Sequence, residues 1–217
     1  PNGIAVEEFR GLPGKPEEEL DKINVGAVVR VTPVKDLMTL IQAFGFAKER
    51  EPALQLFVMG PWEEDEEYAR ECFDLVKGMN IPDVIFTGRV NVKEYYGKMD
   101  MTILTSISEG QPLTILESFA AGKPVIATDV GDCRGLILGD GDEFGEAGIV
   151  THIMNVEEIS WAILRLAHNE QMRLQMGENG LRRVSAGYRV EKLRETYRKI
   201  YRDFAESMQL VWEEEGN

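Results

Sequence analysis

The chain has 217 residues, and 43% of them are hydrophobic, which is enough to bury one sizeable core. Asp and Glu outnumber Lys and Arg by 38 to 24, and the net charge of −14 excludes a general nucleic-acid binder, which needs a basic surface. No apolar run approaches the roughly 20 residues that a membrane-spanning helix requires. Cys72 and Cys133 lie far apart without metal-ligand spacing, which predicts ordinary thiols of a reducing compartment.

The first 22 residues differ in composition from the rest of the chain. They are rich in Pro, Gly and Glu, which predicts a connecting segment. No signal peptide is recognisable. The chain begins with the turn-like sequence Pro-Asn-Gly-Ile and lacks an initiator Met, which indicates a piece of a longer protein. We therefore divide the chain into a linker at residues 1–22, a compact domain at residues 23–186 and a C-terminal helix at residues 187–217.

Strands and helices alternate through the predicted domain. Apolar and β-branched runs predict six strands, at residues 24–31, 54–59, 84–87, 100–105, 125–128 and 147–150. Helical periodicity predicts eight helices, at residues 36–49, 64–79, 92–98, 112–121, 132–138, 156–168, 170–186 and 190–211. Asp36 and Asp132 are expected to cap two helices, and Gly122 to end one in a left-handed conformation. This alternation predicts an α/β fold: a Rossmann-like, doubly wound parallel sheet of six strands with helices on both faces.

The last predicted helix carries an apolar stripe, and residues 182–202 around its start are basic. The stripe consists of Leu193, Tyr197, Ile200, Tyr201, Phe204 and Met208. Helical spacing of this kind favours a long helix packed on the domain. The alternative is a helix that reaches a missing domain, a partner or an acidic membrane surface.

Several motifs that would assign other functions are absent or incomplete. No GxGxxG follows the first strand and no GxxxxGK[ST] occurs, which excludes a dinucleotide fingerprint and a P-loop. Residues 140–145 begin like a calcium loop, but Phe144 and Thr151 occupy ligand positions, so a flexible acidic hairpin is expected. His152 and His168 are isolated, and His168 is explained by its place at the end of a helix, where a cation favours the dipole.

The turn between the fourth strand and the fourth predicted helix is the most informative stretch of the chain. It runs from Ser106 to Pro112, and Pro112 suits the first position of a helix. In an open parallel sheet ligands bind at the carboxyl ends of strands, and a helix N-terminus there offers N–H groups to a phosphate. The two carboxylates of this region, Glu109 and Glu117, are then placed for something other than the phosphate.

Two cations complete the predicted site. Arg30 ends the first strand and Lys35 follows it, so both should face the cleft, where they could neutralise a diphosphate. A carboxylate such as Glu109 or Glu117 can accept two hydroxyls, which suits the diol of a ribose or a hexose. These residues favour a nucleotide-sugar site. Taken one by one, the same residues also fit a surface Arg, a helix-start Lys, a solvated loop acid and a helix-surface Glu.

Glu109 and Glu117 form an E-x7-E pattern that resembles the motif of retaining glycosyltransferases of the GT-B architecture (glycosyltransferase family 4, group 1). Residues 120–131, residues 1–4 and the pair of Arg30 and Lys35 are also typical of that family. The closer resemblance is to its PelF exopolysaccharide branch, and it depends on residues 29–36, 86–95 and 104–113. The resemblance implies that the chain is the C-terminal, donor-binding half of a GT-B fold.

The family resemblance implies a role for each matching residue. Arg30 and Lys35 would bind the donor diphosphate and stabilise its charge as the glycosyl bond breaks, and Glu109 would hold hydroxyls of the donor sugar. The implied donor-binding residues are Gly110, Gln111 and Leu113 through backbone N–H groups, Glu117 at the ribose, and Arg89 and Val90 at the base. No cofactor and no metal ion is implied, because cations and a helix N-terminus take the place of a divalent ion.

The sequence departs from the family in lacking the N-terminal Rossmann domain that binds the acceptor. The resemblance implies a hexosyltransferase that moves glucose from UDP-glucose to a growing exopolysaccharide, in the cytoplasm or at the inner face of the membrane, within a membrane-associated assembly. GDP-mannose or an ADP-sugar as donor stays open, and so does a non-catalytic nucleotide-binding module. Without the missing domain, the isolated chain is expected to bind donor weakly and to transfer no sugar.

Overall fold

The computed structural model describes residues 2–208. The strands in this range are β1 (Ile23–Val28), β2 (Leu54–Met59), β3 (Val84–Gly88), β4 (Met101–Leu104), β5 (Val125–Thr128) and β6 (Gly148–Thr151). The helices are α1 (Leu37–Arg50), α2 (Glu66–Gly78), α3 (Lys93–Tyr96), α4 (Leu113–Ala120), α5 (Cys133–Leu138), α6 (Val156–Ala167), α7 (Glu170–Gly187) and α8 (Val190–Ser207). Short 3-10 turns lie at Val6–Phe9, Glu17–Glu19 and Pro33–Lys35.

All six strands pair in parallel in the order β3-β2-β1-β4-β5-β6, which confirms the predicted doubly wound sheet. The chain builds outward from β1 to β3 on one side and from β4 to β6 on the other. The order therefore reverses between β1 and β4, where Val25 pairs with Met101. In such sheets a crevice opens at this switch point, outside the carboxyl ends of the strands.

The middle of the sheet is the core of the domain. β4 and β5 are buried at every position, as expected for strands that helices cover on both faces. A Cβ on Gly26 of β1 would lie 2.8 Å from Met99 Sδ and 2.9 Å from Met59 Cε, so glycine lets both methionines pack over the strand. α1 packs against α2 and α6, and α4 packs against α7.

Most of the predicted boundaries agree with the structure. Asp36 caps α1 by accepting a hydrogen bond from the Thr39 N–H at 3.4 Å, and Gly122 follows α4 with φ at +68°, as predicted. β1 ends at Val28, three residues before the predicted end of the strand, although the amides of Val29 and Val31 still donate to the carbonyls of Met59 and Pro61 at 3.0 and 2.9 Å. The predicted end of α8 at residues 209–211 lies outside the described residues.

The N-terminal segment contacts the domain. The Ile4 N–H donates to the Tyr188 carbonyl, and the Val190 N–H donates to the Ile4 carbonyl, both at 2.9 Å. Val6 and Phe9 are buried. Residues 4–9 are therefore docked on the start of α8 and on the core. The division of the chain into a linker, a domain and a terminal helix stays a prediction.

The apolar stripe of α8 is exposed. Tyr197, Ile200 and Phe204 expose 51%, 54% and 60% of their surface. The expectation that this helix packs on the domain through its stripe is therefore wrong from Tyr197 to Met208, whereas Leu193 at the start of the helix is half-buried. The physical reason is that the central strands β4 and β5 are already buried at every position, so the domain core does not need this stripe. Helical periodicity indicates an apolar face but not what covers it.

Candidate functional site

The loops that follow β1 and β4 are joined at the switch point. The Ile107 N–H donates to the Val34 carbonyl at 2.9 Å, and the Thr105 hydroxyl donates to the Lys35 carbonyl at 3.0 Å. From the other side, the buried Thr128 hydroxyl donates to the Ser106 carbonyl at 2.5 Å. Three strands therefore fix the turn that the sequence pointed to.

Lys35 and Glu109 form an ion pair in this joined region. Lys35 Nζ lies 2.5 Å from Glu109 Oε1, and the two side chains expose only 17% and 12% of their surface. The Ser106 hydroxyl donates to the same oxygen at 2.6 Å. Within residues 2–208, Glu109 Oε2 accepts no hydrogen bond, so one oxygen is anchored and the other is available. The sequence analysis predicted Lys35 and Glu109 in one site but assigned no role to Ser106.

A close backbone approach keeps this turn in place. Gly131, with φ at +52°, packs so near that a Cβ there would lie 2.3 Å from the carbonyl oxygens of Glu109 and Gly110. The next amide, at Asp132, donates to the Gly110 carbonyl at 2.8 Å. Any side chain at Gly131 would push the carboxylate turn out of position.

Arg30 and Lys35 share a cleft of about 410 Å³ with Arg89 and Val90, and Thr114 of α4 also lines it. The two predicted phosphate-binding cations and the two predicted base-contacting residues are thus brought together. Arg30 NH1 forms an ion pair with Glu64 Oε2 at 2.8 Å, and both side chains are about half exposed. Glu64 could not be predicted as a site residue, because a Glu in an acidic stretch before a helix resembles a solvated surface residue.

α4 begins at Leu113, one residue later than predicted. Pro112 is the N-cap residue with ψ at 124°, an extended conformation, so the expectation of Pro112 at the first helical position is corrected. Within residues 2–208, the amides of Leu113 and Thr114 donate to no backbone carbonyl, as is usual for the first turn of a helix. The Leu113 side chain is 46% exposed. This helix start offers unpaired N–H groups next to the cleft.

Gln111 and Asp132 join this helix start to α5. Gln111 Nε2 donates to Asp132 Oδ2 at 2.6 Å, and the Gln111 carbonyl accepts from the Asn2 side chain at 2.8 Å. Asp132 is at the N-cap position of α5, but its side chain makes no capping hydrogen bond. The predicted cap is therefore corrected: the carboxylate fixes Gln111 instead of a helix amide.

Glu117 lies one turn further along α4, and it is not among the residues that line the cleft. The Tyr96 hydroxyl donates to Glu117 Oε2 at 2.9 Å. Burial raises the pKa of the Glu117 carboxyl, against the opposite effects of the Tyr96 hydrogen bond and the Lys93 charge. The sequence missed Tyr96, since an aromatic residue in a short helix usually belongs to the core.

Residues outside the cleft have structural partners. Asp142 of the acidic loop accepts two hydrogen bonds from the buried Arg183, at 2.5 and 2.9 Å, so the expected flexible hairpin is tied to α7. His168 Nε2 lies 3.1 Å from Glu51, a partner that the helix-end explanation lacked. Over residues 2–208, no group of three His, Cys, Asp or Glu could hold a metal ion. In the same range, no helix has the length and apolar character needed to cross a membrane.

The reversal of strand order between β1 and β4 and the helix N-terminus beside a cationic cleft define a Rossmann-like domain with a crevice at its switch point. The chain belongs to the family "Glycosyl transferases group 1", whose sequence profile matches residues 9–183. One relative, N-acetyl-alpha-D-glucosaminyl L-malate synthase of Bacillus anthracis, is 30% identical over 173 residues, which are 78% of this chain and 42% of that protein.

Two solved structures share the fold. Sucrose-phosphate synthase from Thermosynechococcus elongatus superposes with a TM-score of 0.82 at 23% identity, over 95% of this chain and 52% of that one. Anabaena HepE in complex with UDP and glucose superposes with a TM-score of 0.79 at 18% identity, over 93% of this chain and 55% of that one. The chain thus spans about half the length of these proteins. The predicted half of a GT-B fold is confirmed.

Proposed function

We propose that this domain binds a nucleotide-sugar donor, with UDP-glucose as the expected donor, for a retaining hexosyltransferase of exopolysaccharide synthesis. The observation that carries the proposal is the ion pair of Lys35 and Glu109 at the switch point of the sheet. The mutual attraction of a buried pair often does not repay the cost of removing both charges from water, so stability alone does not account for this pair. A donor with a diphosphate and a hydroxylated sugar gives each of them a task.

The cations of the cleft support a diphosphate site. Arg30, Lys35 and Arg89 line the same cleft, and the first amides of α4 lie beside Thr114, which also lines it. When the bond between sugar and diphosphate breaks, negative charge grows on the leaving group. Positive groups that are already in place lower this barrier most effectively. Arg30 and Lys35 are proposed to do this, while Gly110, Gln111 and Leu113 contribute backbone N–H groups.

The two carboxylates support separate hydroxyl sites. Glu109 uses Oε1 for Lys35 and Ser106, which leaves Oε2 for a hydroxyl of the donor sugar. Glu117 uses Oε2 for Tyr96, which leaves Oε1 for the ribose. In each case the protein holds one oxygen and the ligand would receive the other.

The choice of UDP-glucose is supported by the complex of HepE with UDP and glucose. The base of the donor would meet the backbone at Arg89 and Val90, which discriminates bases weakly. GDP-mannose and an ADP-sugar are therefore the competing donors. A role in exopolysaccharide synthesis, and within it the PelF branch, is supported by the motifs at residues 29–36, 86–95 and 104–113.

A non-catalytic nucleotide-binding module is the second candidate. It would need cations for the diphosphate but no partly buried carboxylate beside them. Glu109 next to Lys35 opposes the binding of an anion, so a site for a nucleotide alone does not explain its position. Binding of the donor sugar does explain it, which favours the catalytic proposal. We propose further that the acceptor site lies on an N-terminal domain outside this chain, so that the chain binds donor but does not transfer sugar.

A cytoplasmic location is proposed for this domain. Cys72 and Cys133 are both free and buried, which fits a reducing compartment. Contact with a membrane-associated polysaccharide assembly, at the inner face of the membrane, is part of the same proposal and depends on the family resemblance.

A thermal-shift panel tests the proposed function. UDP, GDP and ADP would each be compared with their glucose or mannose conjugates on the 217-residue chain. The expected result is the largest rise in melting temperature with UDP-glucose, because a ligand that binds only the folded state stabilises it. Glu117→Gln is measured under the same conditions, and it should show a smaller rise in melting temperature with every nucleotide. A panel in which no nucleotide raises the melting temperature contradicts the proposal.

A further inference from the structure

Tyr96 is a buried aromatic residue whose hydroxyl is directed at a carboxylate. The ring is fully buried, and it packs edge-on against Phe9 with ring centroids 5.6 Å apart. A phenylalanine would fill this space without the cost of burying a hydroxyl. The hydroxyl instead donates to Glu117 Oε2 at 2.9 Å and lies 3.4 Å from the Thr114 carbonyl. Since it has one proton, the shorter bond to the charged acceptor is the main one.

The geometry points to Tyr96 as a positioning residue that orients Glu117 toward the ribose of a bound nucleotide. The inference rests on the proposed function, in which Glu117 meets the ribose. The hydrogen bond from Tyr96 fixes Glu117 Oε2 from the buried side of the carboxylate. The other oxygen accepts no hydrogen bond within residues 2–208, so it is the one that a ribose diol would meet. Tyr96 itself is too deeply buried to touch the ligand.

The electrostatic surroundings agree with this role. The groups that face Glu117 are the Tyr96 hydroxyl and the Lys93 ammonium, both on α3, and Lys93 also pairs with Glu8. Burial, followed by the charge of Glu117, raises the pKa of Tyr96 well above its usual range, so the phenol keeps its proton and stays a donor. Burial also raises the pKa of Glu117, which the Tyr96 bond opposes. The bond therefore helps to keep the carboxylate in its accepting form.

Tyr95 provides a matched control on the same short helix. Like Tyr96, it has an aromatic neighbour, and it also has a cationic one. The centroids of the Tyr95 and Phe57 rings are 6.3 Å apart, and Lys98 Nζ lies over the Tyr95 ring. Its hydroxyl makes no hydrogen bond within residues 2–208. Tyr95→Phe and Tyr96→Phe therefore remove the same atom from adjacent positions, but only the second removes a bond to Glu117.

The test compares ligands that differ only in the ribose hydroxyls. UDP and 2′,3′-dideoxy-UDP would be titrated into wild type, Tyr95→Phe, Tyr96→Phe and Glu117→Gln. GDP and ADP would be compared with their own 2′,3′-dideoxy forms in the same way. Wild type and Tyr95→Phe are expected to prefer the ribose form equally. Tyr96→Phe should reduce this preference by about threefold or more while the dideoxy form binds as in wild type. A general disturbance of α4 would weaken both ligands alike.

The outcomes separate the inference from the function on which it rests. If wild type prefers the ribose form, Glu117→Gln abolishes that preference and Tyr96→Phe keeps it in full, then the positioning role is wrong and the proposed function stands. Equal loss of both ligands in Tyr96→Phe also overturns the positioning role. If wild type binds no nucleoside diphosphate, the proposed function fails and this inference fails with it. Circular dichroism of each variant checks that the comparison is made on folded protein.

Discussion

The carboxylates of Glu109 and Glu117 are eight positions apart in the chain, yet the protein holds them in opposite ways. The Glu109 carboxylate accepts hydrogen bonds from the Lys35 ammonium and from the Ser106 hydroxyl. A neutral phenol, Tyr96, fixes the second in a partly buried place that raises its pKa. A carboxylate beside a diphosphate needs a cation to reduce the repulsion, whereas one at a ribose meets only neutral hydroxyls. The difference in support thus indicates a difference in ligand.

The largest effect is expected from breaking the charge pair. Lys35→Met leaves Glu109 without its cation in a place that is mostly removed from water. We expect the free energy of unfolding to fall by about 2–3 kcal/mol, together with loss of donor binding. Urea unfolding of the variant measures this. The double variant Lys35→Met/Glu109→Gln should recover about half of the stability, and a double variant as unstable as the sum of the two singles would contradict the coupling.

The next effect concerns the hydroxyl that holds the sugar-binding carboxylate. Ser106→Ala removes the bond to Glu109 Oε1 and should weaken UDP-glucose binding by about fivefold while UDP binding changes little. Ser108→Ala is the control, because Ser108 is exposed and makes no hydrogen bond within residues 2–208. Calorimetric titration with both ligands gives the comparison. Equal weakening of UDP and UDP-glucose would show that Ser106 supports the turn as a whole.

Glu117 should make stability depend on pH in a predictable direction. Its pKa in the folded state is raised above the ordinary value of 4.5, mainly by burial. Its contribution is therefore fully present below that ordinary pKa and is lost as the pH rises through the raised one. Relative to wild type, Glu117→Gln should gain stability as the pH increases from 4 to 7. Urea unfolding at several pH values would reveal this, and a constant difference would contradict the raised pKa.

The smallest effect is expected at the exposed end of the cleft. Glu64 competes with a diphosphate for Arg30, so Glu64→Gln should tighten UDP binding by about twofold to threefold at low salt. The gain should vanish at high ionic strength, because both side chains are about half exposed. Glu66→Gln, an exposed neighbour at the start of α2, is the control. Weaker binding of UDP by Glu64→Gln would mean that Glu64 orients Arg30 for the ligand.

Much of the fold could be predicted from local patterns. Buried parallel strands are continuous apolar runs, so β4 and β5 were evident, and Gly122 marked the end of α4. Sequence could not decide what the exposed stripe of α8 meets, since periodicity records a face but not its partner. It also misassigned Asp132, because an N-cap position predicts a local bond, whereas Gln111, 21 residues away, competes for that carboxylate.

The charged residues of the candidate site could be predicted from the sequence, but the residues that hold them in place could not. Lys35 and Glu109 stood out because their types and spacing match a family motif. Ser106 and Tyr96 did not, since a serine in a turn and a tyrosine beside a core are common. Their roles depend on a turn that folds back over three residues and on a contact 21 residues away in sequence. The contact of Tyr96 with Glu117 is visible only once α3 and α4 are placed beside each other.

One titration tests most directly whether the two carboxylates have separate tasks. UDP and UDP-glucose would be titrated by calorimetry into wild type, Glu109→Ala and Glu117→Ala. We predict that Glu117→Ala weakens both ligands by about tenfold, because both contain the ribose. Glu109→Ala should leave UDP binding as strong as in wild type or stronger, because it removes a carboxylate that repels the diphosphate, and it should remove the additional affinity for UDP-glucose. Equal losses for both ligands in both variants would contradict the assignment of Glu109 to the sugar and Glu117 to the ribose.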